Sequence, residues 1–290
     1  MAGKAAAKQK GPRAKPDLAT CCGLLLAFGG ILGGLVLEGG SIKDVTQVTA
    51  ALIVLGGTLG AVMVTSSVSV LMGAAKKLPL VFFDKVPNSD AMIEEIMQYA
   101  TKARKSGIVS LELEAGAIQN PFLKKALNLA IDGMELTELR KMMELEISVE
   151  QQHADAEAKV YEDAGGYAPT VGIIGAVLGL IQVMKNLQNI EEVGRGIGVA
   201  FVATVYGIGV ANLFFLPAGS KIRARTQQLI QMQELILEGV SGIVEGLNPR
   251  LIQSKLQAYT RHAAAEKAAK PAKPPKDKTT AVPEPSLAKN

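Results

Sequence analysis

The chain has 290 residues, 48% of them hydrophobic and only 20% charged, with a mean hydropathy of +0.24. That is too apolar for an ordinary soluble domain and points to a membrane protein. Two adjacent cysteines, Cys21 and Cys22, and two histidines, His153 and His262, exclude a disulfide scaffold and offer no zinc or iron ligand set, so no metal is expected; no cofactor and no enzymatic activity are expected either. A net charge of +4 with 4% aromatic residues supplies neither a strong basic patch nor a stacking platform for nucleic acid.

In chain order, residues 1–16 form a basic tail (Lys4, Lys8, Lys10, Arg13, Lys15) with too little apolar surface to fold, so disorder is expected there. Leu18 to Leu37 is uncharged and long enough to cross a bilayer. The cleaved signal peptide that a basic start would also suit is disfavoured by the span-length run and by the absence of a small-residue cleavage site. Nor do Cys21 and Cys22 suit lipidation, because they begin the apolar run rather than follow it. A second uncharged run, Val45 to Ala75, places span 2 near Ala50 to Met72. Residues 17–75 thus read as spans 1 and 2.

Residues 76–166 read as a soluble helical domain, with apolar residues at three- and four-residue spacing from Asp90 to Ala103 and from Leu123 to Ala164, as in Leu136, Leu139, Met143 and Ile147. Asn88 and Asn120-Pro121 mark helix starts, and no alternating strand pattern of any length occurs. Spans 3 and 4 fall at Tyr167 to Met184 and Gly196 to Pro217, within residues 167–217. A helix is expected over 218–261, and a disordered Ala/Lys/Pro tail over 262–290. The fold class is therefore an all-α membrane protein with four transmembrane helices and a helical cytoplasmic domain between spans 2 and 3. Lys76, Lys77 and Lys85 after span 2 and Lys221, Arg223 and Arg225 after span 4 join the N-terminal basic residues in placing both termini in the cytoplasm.

Glycines at four-residue spacing inside the spans (Gly29/Gly33, Gly30/Gly34, Gly56/Gly60, Gly175/Gly179) permit close helix packing, within one chain or in an oligomer around a partner. No span carries an acidic or basic side chain, so an ion path would need a carboxylate from another chain. Spans 3 and 4 contain Pro169, Thr170, Gln182, Thr204, Tyr206 and Asn212, so such a path would be lined by hydroxyls, and a lone intramembrane Thr by default bonds back to its own helix.

The segment Ala168-Pro169-Thr170-Val171-Gly172 through Ile181, then Ala203-Thr204-Val205-Tyr206-Gly207, resembles the MotA family of flagellar stator subunits, as does Ala103-Arg104-Lys105-Ser106-Gly107 through Leu111-Glu112. The resemblance covers roughly Asp17 to Leu247. TolQ and ExbB channels share the span 3–4 pair. It implies an ion-driven torque generator of the bacterial inner membrane, with five such subunits around two copies of a MotB-like partner whose single span carries the essential Asp. It further implies rotor contact, with a FliG-type switch protein, through Arg104 and Glu112. Conformational coupling would run through Pro169 and Pro217. The ion pathway would involve Thr204 and Tyr206 with Thr170, and Ala176 stands where sodium-type relatives carry Thr and proton-type relatives Ala. A proton is accordingly expected rather than sodium. The readings weighed against this are an ExbB/TolQ-type energiser, which would have three spans and an outside N-terminus, a secondary transporter, whose halves should repeat, and a structural membrane scaffold.

Overall fold

A computed structural model describes residues 15–84 and 88–268. The first element is a two-residue strand, β1 (Lys15–Pro16), followed by α1 (Leu18–Leu37), which Asp17 caps by accepting the Ala19 and Thr20 amides. Span 1 and α1 coincide. α1 buries none of its residues within the chain, so it is pinned only at its ends.

After a 3₁₀ turn (Ile42–Val45) comes α2 (Val48–Thr65), which buries Ala50, Val54, Thr58 and Val62, one residue per turn. Here the sequence reading needs correction. Span 2 does not run to Met72, because Ser66 and Ser67 are both extended (ψ 143° and 150°) and the chain restarts as α3 (Val68–Lys77). Uncharged composition alone could not show this break, which a serine pair introduces. α3 lies along a later helix, where Tyr161 donates to the Ala74 carbonyl (2.9 Å) and Lys77 pairs with Glu157 (2.7 Å). The short α4 (Pro79–Phe82) then leads to β2 (Phe83–Asp84), which pairs antiparallel with β1. That two-residue ladder is the only strand pairing among the described residues, and it orders Lys15 and Pro16 within the expected disordered tail.

The extramembrane domain starts with α5 (Ser89–Ser106), capped by Asn88, then a 3₁₀ turn (Ile108–Leu111), α6 (Glu112–Ala115) and α7 (Pro121–Ile131), whose cap Asn120 accepts the Phe122 and Leu123 amides at 3.0 and 3.1 Å. Gly107 (φ +79°) and Gly133 (φ +81°) make the turns after α5 and α7 in the left-handed region that favours glycine.

α8 (Leu136–Lys185) is one helix of 50 residues, about 75 Å long. The expected boundary at residue 166/167 is therefore no structural boundary. Gly165, Gly166 and Pro169 all lie inside the helix without ending it. A four-residue turn, closed by the cap Asn189, leads to α9 (Ile190–Val210). A π turn (Ala211–Phe215) continues directly into α10 (Leu216–Val244). Among the described residues four helices are long and apolar enough to cross a membrane: Leu18–Leu37, Ile42–Thr65, and the apolar parts of Leu136–Lys185 and Ile190–Val244.

The helix expected over 218–261 is two helices. α10 stops at Val244, Gly246 turns at φ +68°, and α11 (Pro249–Ala268) starts at a proline. α11 also carries helix into the expected disordered tail as far as Ala268; the rest of that tail, 269–290, and residues 1–14 lie outside the described residues. One core joins Leu139, Met143 and Ile147 of α8 to Ile230, Leu235, Ile236 and Val240 of α10, with Ile96, Leu111, Leu123 and Leu127 of the domain and Ile252 and Leu256 of α11.

Candidate functional site

The inner helix pair α8–α9 meets through small residues. A Cβ added at Gly207 would lie 2.6 Å from the Ala168 carbonyl oxygen, and one at Gly172 2.9 Å from the Ala203 carbonyl oxygen. At the other end of the crossing, a Cβ at Gly179 would lie 2.8 Å from both the Ala200 nitrogen and the Gly196 oxygen. Backbones approach this closely only where side chains are absent, which is how helices associate where lipid gives no hydrophobic drive.

Pro169 sits three residues before Gly172 in that crossing. A proline deep in a helix has no N–H to give to the carbonyl four residues back, here that of Gly165, so the helix loses one rung at the edge of the membrane segment. The notion of a first-turn proline at the start of a span does not apply, because the helix has already run for 33 residues. Pro217 stands beside a second irregularity. The Leu216 N–H donates to Ala211, five residues back, and the widened π turn accommodates the proline without breaking the helix. Asn212 Nδ2 donates to the Ile208 carbonyl within it (2.9 Å).

The hydroxyls named for the ion pathway are placed as follows. Thr204 Oγ1 donates back to the Ala200 carbonyl (3.2 Å) and Thr170 Oγ1 to the Tyr167 carbonyl (2.8 Å), as an isolated intramembrane Thr does by default. Both remain partly open to the outside of the chain, with oxygen lone pairs free to accept. Tyr206 is a strut: its hydroxyl donates to the Val45 carbonyl (2.6 Å) and accepts from the Gln47 amide (3.3 Å), tying α9 to the start of α2. Thr204 is level with Gly172, whose added Cβ would lie 3.5 Å from the Thr204 Cα. Ala176 is one turn further along α8, next to Gly175, which packs on Ala203. No Asp, Glu, Lys or Arg occurs in 164–184 or 196–220. Among the described residues no cluster of His, Cys, Asp or Glu could hold a metal.

Sequence reading missed an ion cluster where the spans meet the domain. Asp17 accepts from Lys221 and from Arg225 (Nη2–Oδ2 3.0 Å), while Arg225 also reaches Asp84 (Nη1–Oδ1 2.5 Å), and the Asp17 amide donates to the Phe82 carbonyl (2.8 Å). The hydrogen bond from Lys221, then the Thr20 amide and the charges of Lys221 and Arg225, outweigh the cost of burial and hold the Asp17 carboxyl down at about 2. A polar residue just ahead of an apolar run is a helix-cap signal, and Lys221 and Arg225 share a helix face at i, i+4. Nothing local tied them to Asp17.

Arg104, in the last turn of α5, and Glu112, in the first turn of α6, are both exposed, and among the described residues neither forms an ion pair. Their neighbours Lys102 and Glu114 do pair (2.7 Å), which lays α6 against α5.

The fold and these features define a multi-pass α-helical membrane protein whose tightly crossed inner helices run on into an extramembrane helical domain. Residues 21–107 match the motility protein A N-terminal family, and residues 114–235 the MotA/TolQ/ExbB proton channel family. The Helicobacter pylori motility protein A is 34% identical over 243 residues, covering 84% of this chain and 95% of that protein. The structure of C. jejuni MotAB superposes with a TM-score of 0.80 at 34% identity, covering 84% of this chain and 95% of that one. The flagellar MotAB stator complex from Bacillus subtilis gives 0.79 at 30% identity, covering 88% and 100%. The chain belongs to the motility protein A family.

Proposed function

We propose that this chain, a stator subunit of the flagellar motor, conducts protons together with a single-span MotB-like partner and turns that flow into force on a FliG-type rotor protein. The observation that carries this reading is that α8 and α10 are unbroken rods. Each leaves the membrane segment at a helix irregularity, Pro169 or the π turn before Pro217, and each ends in the core beneath Arg104 and Glu112. About 45 Å of α8 and about 40 Å of α10 lie beyond the membrane segment. A small change at the crossing is thereby carried as a rigid-body motion to the far surface. The partner supplies the carboxylate that these spans lack, as the MotAB complexes of the relatives suggest. Several copies, five by family resemblance, would surround it in the bacterial inner membrane with both termini cytoplasmic, consistent with the basic residues flanking spans 2 and 4.

Charge reversal tests the rotor contact. Arg104→Glu should impair swimming while leaving membrane level and proton flux intact, with partial rescue by an opposite reversal on the rotor protein. Swimming at wild-type speed in both the single and the double reversal would refute it.

The proton reading rests on Ala176, whose methyl group cannot coordinate a cation, and on hydroxyls that face singly rather than as a cage. A desolvated sodium ion needs several oxygens. Reconstituted with the partner, the chain should pass protons, and alone it should pass none, since no span supplies a proton-binding carboxylate. Swimming speed that rises with sodium and survives a protonophore would overturn the proton assignment.

Replacing Pro169 by Ala restores the missing N–H to Gly165. The expected outcome is a higher thermal midpoint with lower torque, because the lost rung is where α8 yields. Normal torque in Pro169→Ala would show that the proline is only tolerated.

A further inference from the structure

A groove of about 310 Å³ separates α1 from the π turn and the start of α10. Thr20, Leu24 and Ala27, at i, i+4 and i+7 and so on one helix face, form one wall, and Leu213, Phe214 and Pro217 form the other. The pairing of Lys221 with Asp17 fixes one end of the groove at the cap of α1, where the first span enters the membrane. Asn212, nine residues before Lys221, lies about 13 Å deeper at the other end. The groove therefore starts at the membrane surface and runs along the spans for nearly the ~15 Å of one hydrocarbon leaflet. Its two ends differ in what they offer. The Asn212 amide is already engaged with the Ile208 carbonyl (2.9 Å). At the surface end the Thr20 hydroxyl makes no hydrogen bond among the described residues, and Lys221, 30% exposed, has donors beyond the one it gives to Asp17.

We infer that this groove holds one phospholipid of the leaflet in which α1 begins, with an acyl chain lying between α1 and the π turn and the phosphate accepting from the Lys221 ammonium and the Thr20 hydroxyl. Depth, size and polarity select this occupant together. A helix from a second copy is about 10 Å across, and a length of it matching the groove would need about three times the volume available, whereas a single extended hydrocarbon chain fits. Donors at the surface end and apolar walls below them are the order in which a lipid presents phosphate and chain. Asp17 and Asp84 balance Lys221 and Arg225, so the phosphate is recognised by hydrogen bonds and position rather than by net charge. The lipid thereby supplies what the chain does not. α1 buries none of its own residues, and the seated acyl chain sets its spacing from the π turn and Pro217.

The test uses the complete stator in detergent, stripped of lipid by washing and then given phosphatidylglycerol. Added lipid should raise the thermal midpoint, because a ligand that binds the folded state alone stabilises it. A diazirine on its acyl chain should label Leu24, Leu213 or Phe214. Gly23→Leu fills the groove: a Cβ at Gly23 meets nothing within 4 Å, and leucine is the better helix former. This variant should fold, lose the labelling and stop responding to lipid. Thr20→Val should weaken the response, and Thr20→Ser should keep it. Labelling in the groove no stronger than at Leu26, which is 77% exposed, would leave ordinary boundary lipid and overturn the site. An equal midpoint shift from glycerol phosphate, which has no chains, would replace the lipid by a free phosphate. Crosslinking of position 23 to a second copy of the chain would overturn the proposal by assigning the groove to subunit packing.

Discussion

Replacing Gly207 by Ala should disable the stator, with a destabilisation of about 1–3 kcal/mol. The new methyl carbon would stand 2.6 Å from the Ala168 carbonyl oxygen and 3.0 Å from the Gly172 Cα. Both are backbone atoms of α8, which cannot swing aside as the end of a flexible side chain can. Relief must come from separating α8 and α9, which also displaces Pro169 from its neighbours. Gly194→Ala is the internal control. It changes the same helix, meets nothing within 4 Å and adds a better helix former. The measurements are thermal midpoint in detergent and swimming speed. Equal behaviour of the two variants would show that the close crossing has no functional weight.

Arg225→Ala should lower stability by about 3 kcal/mol, the cost of stranding a buried charge partner. Arg225 is only 11% exposed and is shared between Asp17 and Asp84, so its removal unfastens the start of α1 and β2 from α10 together. Because α1 buries nothing in its own chain, this cluster is its main attachment at that end. Arg223→Ala, which removes a half-exposed ion pair with Glu162, should change stability by less than about 1 kcal/mol. Thermal midpoints of the two variants decide the matter, and a melt of Arg225→Ala like that of wild type would refute the assignment. The pH dependence has a definite sign. The folded carboxyl of Asp17 lies at about 2, below its ordinary value of 3.8, so its contribution is complete above that ordinary value and is lost as pH falls from about 4 to about 2.

Much of this protein follows from local sequence. Twenty consecutive uncharged residues are enough to make α1, because a segment crossing hydrocarbon must satisfy its backbone internally. The spacing of Leu139, Met143 and Ile147 gives the buried face of α8, and the runs around Thr170 and Thr204 carry the family's signature. The exposure of Arg104 and Glu112 was legible too, since a charged side chain without a partner stays at the surface.

The tertiary structure decided the rest. Ser66 and Ser67 end α2 because α3 must turn to lie on α8 through Tyr161 and Lys77, a demand no hydropathy window records. Gly165, Gly166 and Pro169 would ordinarily end a helix. They do not here, because a membrane segment penalises unpaired backbone more than it penalises poor helix formers, and because the small residues are where Leu216 and α9 pack. Tyr206 reads as a polar group in a span until the fold brings Val45 to it. The Asp17–Arg225 contact joins residues 208 positions apart, and only the return of the fourth span to the side where the first begins brings them together.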